Sequence, residues 1–102
     1  MEITDEDKNE LRNLLKIAIS QIPRYFNVIN STKESWQISN IKECVFGMVF
    51  EKYIHTSGQY LSNKGIDEGQ PSTIENTMEA YDIGIEVFSE SVPEIKRQIQ
   101  EN

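Results

Sequence analysis

The stretch 41–61, IKECVFGMVFEKYIHTSGQYL, decides the fold that the sequence predicts. It is the most apolar long segment of the chain, it contains no proline, and it holds the single histidine and the single cysteine. At about 100° per residue, its apolar side chains share one broad face, as is typical of a helix that packs against others. That face comprises Phe46, Val49, Phe50, Tyr53, Ile54, Tyr60 and Leu61. We therefore predict that this stretch is the central helix of a small bundle.

Both ends of the central helix carry sequence signals. Asn40 and Glu43 have the spacing of a capping box, which starts a helix. At the other end Gly65 is predicted to be the C′ glycine of a Schellman motif, in which Leu61 and Ile66 form the accompanying apolar pair.

The segment before the central helix predicts a kinked helix. Thr4 is a candidate N-cap, and the acidic residues 5–7 that follow it suit the positive end of a helix dipole. Pro23 removes one helical hydrogen bond, which predicts a kink near residues 20–22 or a second short helix over 24–30. The core-facing stripe runs through the proline at spacings of four and three: Leu11, Leu15, Ala18, Ile22, Tyr25 and Ile29.

The segment after the central helix predicts a second kinked helix. Ser72 and Glu75 have capping-box spacing, and Ser91 with Glu94 offers a further start next to Pro93. A heptad stripe, predicted to face the core, comprises Ile74, Met78, Tyr81, Ile85, Phe88, Val92, Ile95 and Ile99. A minor second face of smaller residues would permit close helix approach, and it comprises Ala80, Ile83, Gly84 and Val87.

These patterns predict an all-α fold, an up-down-up bundle of three main helices over 5–30, 40–63 and 72–100. The prolines kink the first and the third helix, so that four or five segments are expected. The length of 102 residues suits one helical-bundle domain over residues 1–102.

The formal charge of −7 is concentrated in residues 65–102, which hold nine acidic and two basic residues. Proteins that neutralise phosphates need clustered lysine and arginine, so we expect no nucleic-acid binding, and a DNA-binding regulator is the least favoured function. The chain has no apolar run of membrane-spanning length, no signal-peptide pattern and only one cysteine. We therefore expect no membrane association and a cytoplasmic location.

Glu51 and His55 lie four residues apart on a polar stripe of the central helix and are the first residues to test for chemistry. A carboxylate-bundle metal site uses Glu-x-x-His on two helices, and this chain has neither that spacing nor a second histidine. We expect a solvated histidine that pairs with Glu51, and Cys44 beside apolar neighbours is expected to be an inert thiol. No catalytic residue, cofactor site or metal site is predicted.

Two surfaces are candidates for partner binding. The first two turns of the central helix carry a second apolar patch, Ile41, Cys44, Val45 and Met48, called the early patch below. Either the 31–39 connection covers it with Trp36 and Ile38, or another subunit does, which makes Trp36 a candidate interface residue if it is not tucked over the core. The other candidate is the acidic stripe, five carboxylates within roughly 80° on the third helix that suit a basic partner or a solvated face: Glu75, Glu79, Asp82, Glu86 and Glu90.

The sequence thus favours a small, acidic, non-enzymatic helical protein that acts through protein–protein interaction, as a homodimer or with another protein. The alternative is a metal-binding or catalytic bundle that uses Glu51 and His55 with carboxylates of the third helix.

Overall fold

A computed structural model describes residues 2–71 and 73–102, and within these residues the fold is all-α. Five helices follow one another along the chain: α1 (Asp5–Ser20), α2 (Ile22–Thr32), α3 (Ile41–Asp67), α4 (Ile74–Glu90) and α5 (Val92–Gln100). The long helix α3 contacts all four others. This confirms the predicted all-α bundle organised around the central helix.

Contacts at the two ends of the molecule establish the up-down-up arrangement. Lys64, near the end of α3, lies 3.1 Å from Asp7 in the first turn of α1. At the opposite end, Lys42 in the first turn of α3 donates a hydrogen bond to Gln100 at the end of α5. We call α1 with α2 the first outer arm and α4 with α5 the second. The first arm begins beside the end of α3, and the second arm ends beside the start of α3, so both arms run antiparallel to α3.

The prolines divide the outer arms as the sequence predicts. Gln21 separates α1 from α2, and Pro23 lies in the first turn of α2, where its missing N–H costs no helical hydrogen bond. Ser91 separates α4 from α5, and Pro93 is placed in the same way. The Ser91 side chain makes no capping hydrogen bond, contrary to prediction.

Helix starts follow the predicted caps in part. Thr4 and Asp7 form a complete capping box, and the Asn40 side chain accepts a hydrogen bond from the Glu43 N–H. The predicted cap at Ser72 lies outside the described residues. In α4 the N-cap is Thr73, whose side chain accepts from the Asn76 N–H.

The predicted end of α3 at Gly65 is wrong by one turn. Gly65 is buried within the helix, and the Schellman motif is built on Gly69, which has a φ of +83°. The Gly69 N–H donates to the Ile66 carbonyl, and the Gln70 N–H donates to the Gly65 carbonyl, as the motif requires. Gly65 and Gly69 are both candidates for the glycine that ends the helix. Gly65 is buried and stays helical, so the helix ends at Gly69.

The main core lies where α3 meets the outer arms. Tyr53 is fully buried, stacks on Phe88 at a centroid distance of 5.7 Å, and donates a 2.8 Å hydrogen bond to the carbonyl of Gly84. Phe46 and Phe50 contact the Phe88 ring edge-on. Phe88 therefore ties α4 to the aromatic face that the sequence assigned to the core.

The heptad prediction fails over the first half of α4. Of its eight residues, Phe88, Ile95 and Ile99 are buried and Val92 is half-buried, but Ile74, Met78, Tyr81 and Ile85 are exposed. The predicted minor face takes their place, since Ala80, Gly84 and Val87 are buried.

Close packing between α3 and α4 explains this choice of face. A Cβ atom placed on Gly84 would lie 2.9 Å from Ser57 Oγ and 3.3 Å from Ile54 Cδ1, so only glycine permits this approach. The approach also brings the Gly84 carbonyl within reach of the buried Tyr53 hydroxyl. A buried hydroxyl without a partner costs about 1–3 kcal/mol, so this bond and the small residues together favour the observed rotation of α4.

Candidate functional site

The outer face of α4 carries the largest group of exposed apolar side chains in the described part of the chain. Ile74 is 79% exposed, Met78 60%, Tyr81 43% and Ile85 40%. They recur at spacings of four, three and four, so they form one line along about three turns of helix. We call these four residues the outer stripe. Sequence reasoning found the residues but assigned them to the core.

One residue of the outer stripe lies against α3. A Cβ atom placed on Gly58 would lie 3.7 Å from Tyr81 Cε1, so the Tyr81 ring lies beside this glycine.

The acidic stripe borders the outer stripe along one edge. On a wheel of about 100° per residue, the centres of the two stripes are about 110° apart. The carboxylates of Glu75, Asp82 and Glu86 are exposed, and no salt bridge to them is found in residues 2–71 and 73–102. Glu90, at the end of the stripe, lies 3.8 Å from Arg12 of α1. Glu79, the fifth member, is half-buried.

The early patch is covered within the chain itself. Val45 is fully buried, and the half-buried Ile41, Cys44 and Met48 pack against the main core. Helix α2 packs along this part of α3, where Tyr25 lines the same groove as Cys44 and Met48. The sequence left open whether the 31–39 connection or another subunit covers this patch; in the structure the segment after Pro23 packs beside it.

Trp36 is not tucked over the core, since 60% of its surface is exposed. The chain turns after α2 through Gln37, which has a φ of +56°, and the Ile38 N–H donates to the Lys33 carbonyl. This turn directs Ile38, not the tryptophan, against the core. Trp36 lies in the connection between α2 and α3, whereas the outer stripe lies on α4.

Glu51 and His55 are exposed and line an open groove between α2 and α3 with Cys44, Lys52 and Tyr25. No α4 residue lines that groove in the described part of the chain. The structure therefore does not bring the third-helix carboxylates to the histidine. Within residues 2–71 and 73–102, no group of three or more histidine, cysteine, aspartate or glutamate side chains is placed to hold a metal ion.

A partly buried ionic network around Asp7, which sequence reasoning missed, joins α1 to the last turns of α3. Asp7 is only 5% exposed, and its carboxylate accepts hydrogen bonds from Thr4, from the Tyr60 hydroxyl at 2.8 Å and from Lys64 at 3.1 Å. Lys64 also contacts Glu68 at 2.7 Å. The capping-box spacing of Thr4 and Asp7 was the available signal, but it does not reveal the partners on α3.

The network shifts the acidity of its members. Burial acts to raise the pKa of Asp7, but the hydrogen bonds from Thr4, Tyr60 and Lys64 outweigh it and hold the pKa of this carboxyl well below its usual range. Hydrogen bonds to Glu68 and Asp7 raise the pKa of Lys64. The hydrogen bonds and ion pairs of Asp7, Tyr60 and Lys64 thus join α1 to α3, and we call this network the clasp.

No helix in the described residues has the length and apolar character needed to cross a membrane. Comparisons of the chain with family models, with curated proteins and with solved structures found no match.

Proposed function

We propose that this chain is a non-enzymatic helical module that acts through protein–protein contact, and that α4 presents the binding surface. The observation that carries the proposal is the outer stripe, where four large apolar side chains are held outward in a line by the packing of Ala80 and Gly84. Contiguous exposed apolar patches larger than a few hundred Å² are rare on monomeric soluble proteins and mark interaction sites.

The fold gives the outer stripe the rigidity that a docking surface needs. Helix α4 is held against α3 by the Tyr53–Gly84 hydrogen bond and by the packing of Phe88 against Tyr53, Phe46 and Phe50. The four side chains lie at positions i, i+4, i+7 and i+11, the spacing of the apolar residues with which helices pack against each other. Self-association and binding of a different protein both fit this surface, and both belong to the proposal.

A double substitution tests the proposal. We expect Met78→Ser/Ile85→Ser to lower the free energy of unfolding by no more than about 1 kcal/mol, because both side chains are exposed. The same variant should lose whichever contact the wild-type chain makes through the outer stripe, measured as self-association in sedimentation velocity and as binding of a neutral helical peptide with leucine at i, i+4, i+7 and i+11.

The matched control is Ile17→Ser, which removes a 54% exposed isoleucine from α1 and should leave both measurements unchanged. Concentrations from about 10 μM to about 1 mM cover contacts worth about 4 to 7 kcal/mol. If the wild-type chain stays monomeric and binds no amphipathic helical peptide, neutral or charged, throughout this range, the outer stripe is not a protein-binding surface.

A further inference from the structure

We infer that the partner of the outer stripe is a basic amphipathic helix. This inference rests on the proposed function and specifies the chemistry of the occupant. It comes from the position of the acidic stripe, which follows one edge of the outer stripe along the length of α4. An occupant of the apolar line therefore presents one of its own flanks to a row of carboxylates.

The length of the surface sets the length of the occupant. Ile74 and Ile85 are eleven residues apart, which corresponds to about 16 Å along the helix axis. A partner helix of about three to four turns covers that distance. Its apolar residues must recur at spacings of four and three to meet the four side chains of the stripe.

Charge determines which helix fits best. Glu75, Asp82 and Glu86 are exposed along about three turns of α4, and none has a salt bridge within the described residues. Lysine or arginine on the facing flank of the partner meets these carboxylates at little cost, since they need not leave another ion pair. Complementary charge also raises the association rate and selects one orientation of the bound helix.

A second copy of the chain is the less favourable occupant. When two α4 helices pack antiparallel about a two-fold axis, their outer stripes face each other and both acidic stripes fall on the same side of the seam. Like charges so arranged repel each other, and each copy carries a formal charge of −7. Anionic phosphate surfaces meet the same repulsion.

Two synthetic helical peptides test the inference on the full-length chain. Both have about 18 residues and leucine at i, i+4, i+7 and i+11; one carries lysine and arginine on one flank, and the other carries glutamine there. We expect titration calorimetry to give about tenfold tighter binding for the basic peptide at about 50 mM salt, and most of that advantage to vanish at about 300 mM.

Matched variants separate specific docking from general attraction to an acidic protein. Asp82→Asn/Glu86→Gln should reduce the advantage of the basic peptide by about threefold or more, while Glu2→Gln/Glu34→Gln removes the same charge elsewhere and should have less effect. Met78→Ser/Ile85→Ser should abolish binding of both peptides. An equal effect of the two charge variants would show that the attraction is not local, and it would overturn the inference.

The outcomes distinguish this inference from the proposed function. Equal affinity for the basic and the neutral peptide leaves the outer stripe as a docking surface but overturns the basic partner. Self-association through the outer stripe without peptide binding would likewise support a docking surface and overturn the basic partner. If neither peptide binds and the chain stays monomeric, both the inference and the proposed function fail.

Discussion

Gly84→Val should lower the free energy of unfolding by about 3 kcal/mol, the upper range for overpacking a helix interface. The Cβ atom alone would lie 2.9 Å from Ser57 Oγ, and Ser57 is fully buried and donates a hydrogen bond to the Ile54 carbonyl. Helix α4 must then move away from α3, and the buried Tyr53 hydroxyl loses the Gly84 carbonyl. Thermal denaturation should show a fall in Tm of about 10–20 °C.

Ile85→Ala provides the matched control, one residue along the same helix. Ile85 is 40% exposed and belongs to the outer stripe, so we expect a loss below about 1 kcal/mol. If α4 instead buried its heptad residues, as the sequence predicts, Ile85→Ala would destabilise the chain more than Gly84→Val. Burial of Ile85 would then make Ile85→Ala cost about 2–5 kcal/mol, and Gly84 would tolerate a side chain.

Asp7→Ala should destabilise the chain by about 3 kcal/mol at neutral pH. The substitution removes the acceptor for Thr4, for Tyr60 and for Lys64 in a single step. Asp5→Ala is the matched control, because it removes an exposed acid from the same turn of α1 and should cost about 0.5 kcal/mol. Denaturant unfolding of both variants measures the difference.

The clasp also predicts an acid dependence. Because the pKa of Asp7 is lowered in the folded chain, its contribution to stability is complete above the unfolded value of 3.8 and declines as the pH falls below it. The difference between wild type and Asp7→Asn should therefore be nearly constant above about pH 5 and should shrink as the pH falls from about 4 to about 2. A difference that stays constant over this range would mean that the Asp7 carboxylate is not held by these partners.

The sequence was sufficient for the architecture because the strongest signals are local. The apolar face around Tyr53 predicts the central helix, and Pro23 and Pro93 mark the breaks in the outer arms. Each of these signals acts within a few turns of its own residue. The up-down-up order follows from them once the connections are short.

The face that α4 turns inward could not be read from periodicity alone. A heptad of large apolar residues normally outweighs a line of small ones, since it buries more area. Here Gly84 and Ala80 permit a close approach to Ser57, and Tyr53 finds its hydrogen-bond acceptor there. That decision depends on residues 31 positions apart in the chain. The exposure of the outer stripe was missed for the same reason.

The early patch shows the same dependence on distant packing. Its residues look surplus when α3 is considered with an unbroken first helix. The break at Gln21 frees α2 to pack on α3, and Tyr25 then shares a groove with Cys44 and Met48. Pro23 predicts the break from the sequence alone. The direction that α2 takes after the break depends on packing against α3, which the sequence does not show.

Thiol labelling of α4 tests most directly the claim that the outer stripe faces solvent and that the line of smaller residues faces the core. In a Cys44→Ser background, cysteine is introduced by Ile85→Cys in one variant and by Val87→Cys in another, and the rate of alkylation under native conditions is compared with the rate in denaturant. We expect Ile85→Cys to react at close to the unfolded rate and Val87→Cys, whose site is 4% exposed, to react at least about a hundredfold more slowly. Protection at position 85 with rapid reaction at position 87 would contradict the account.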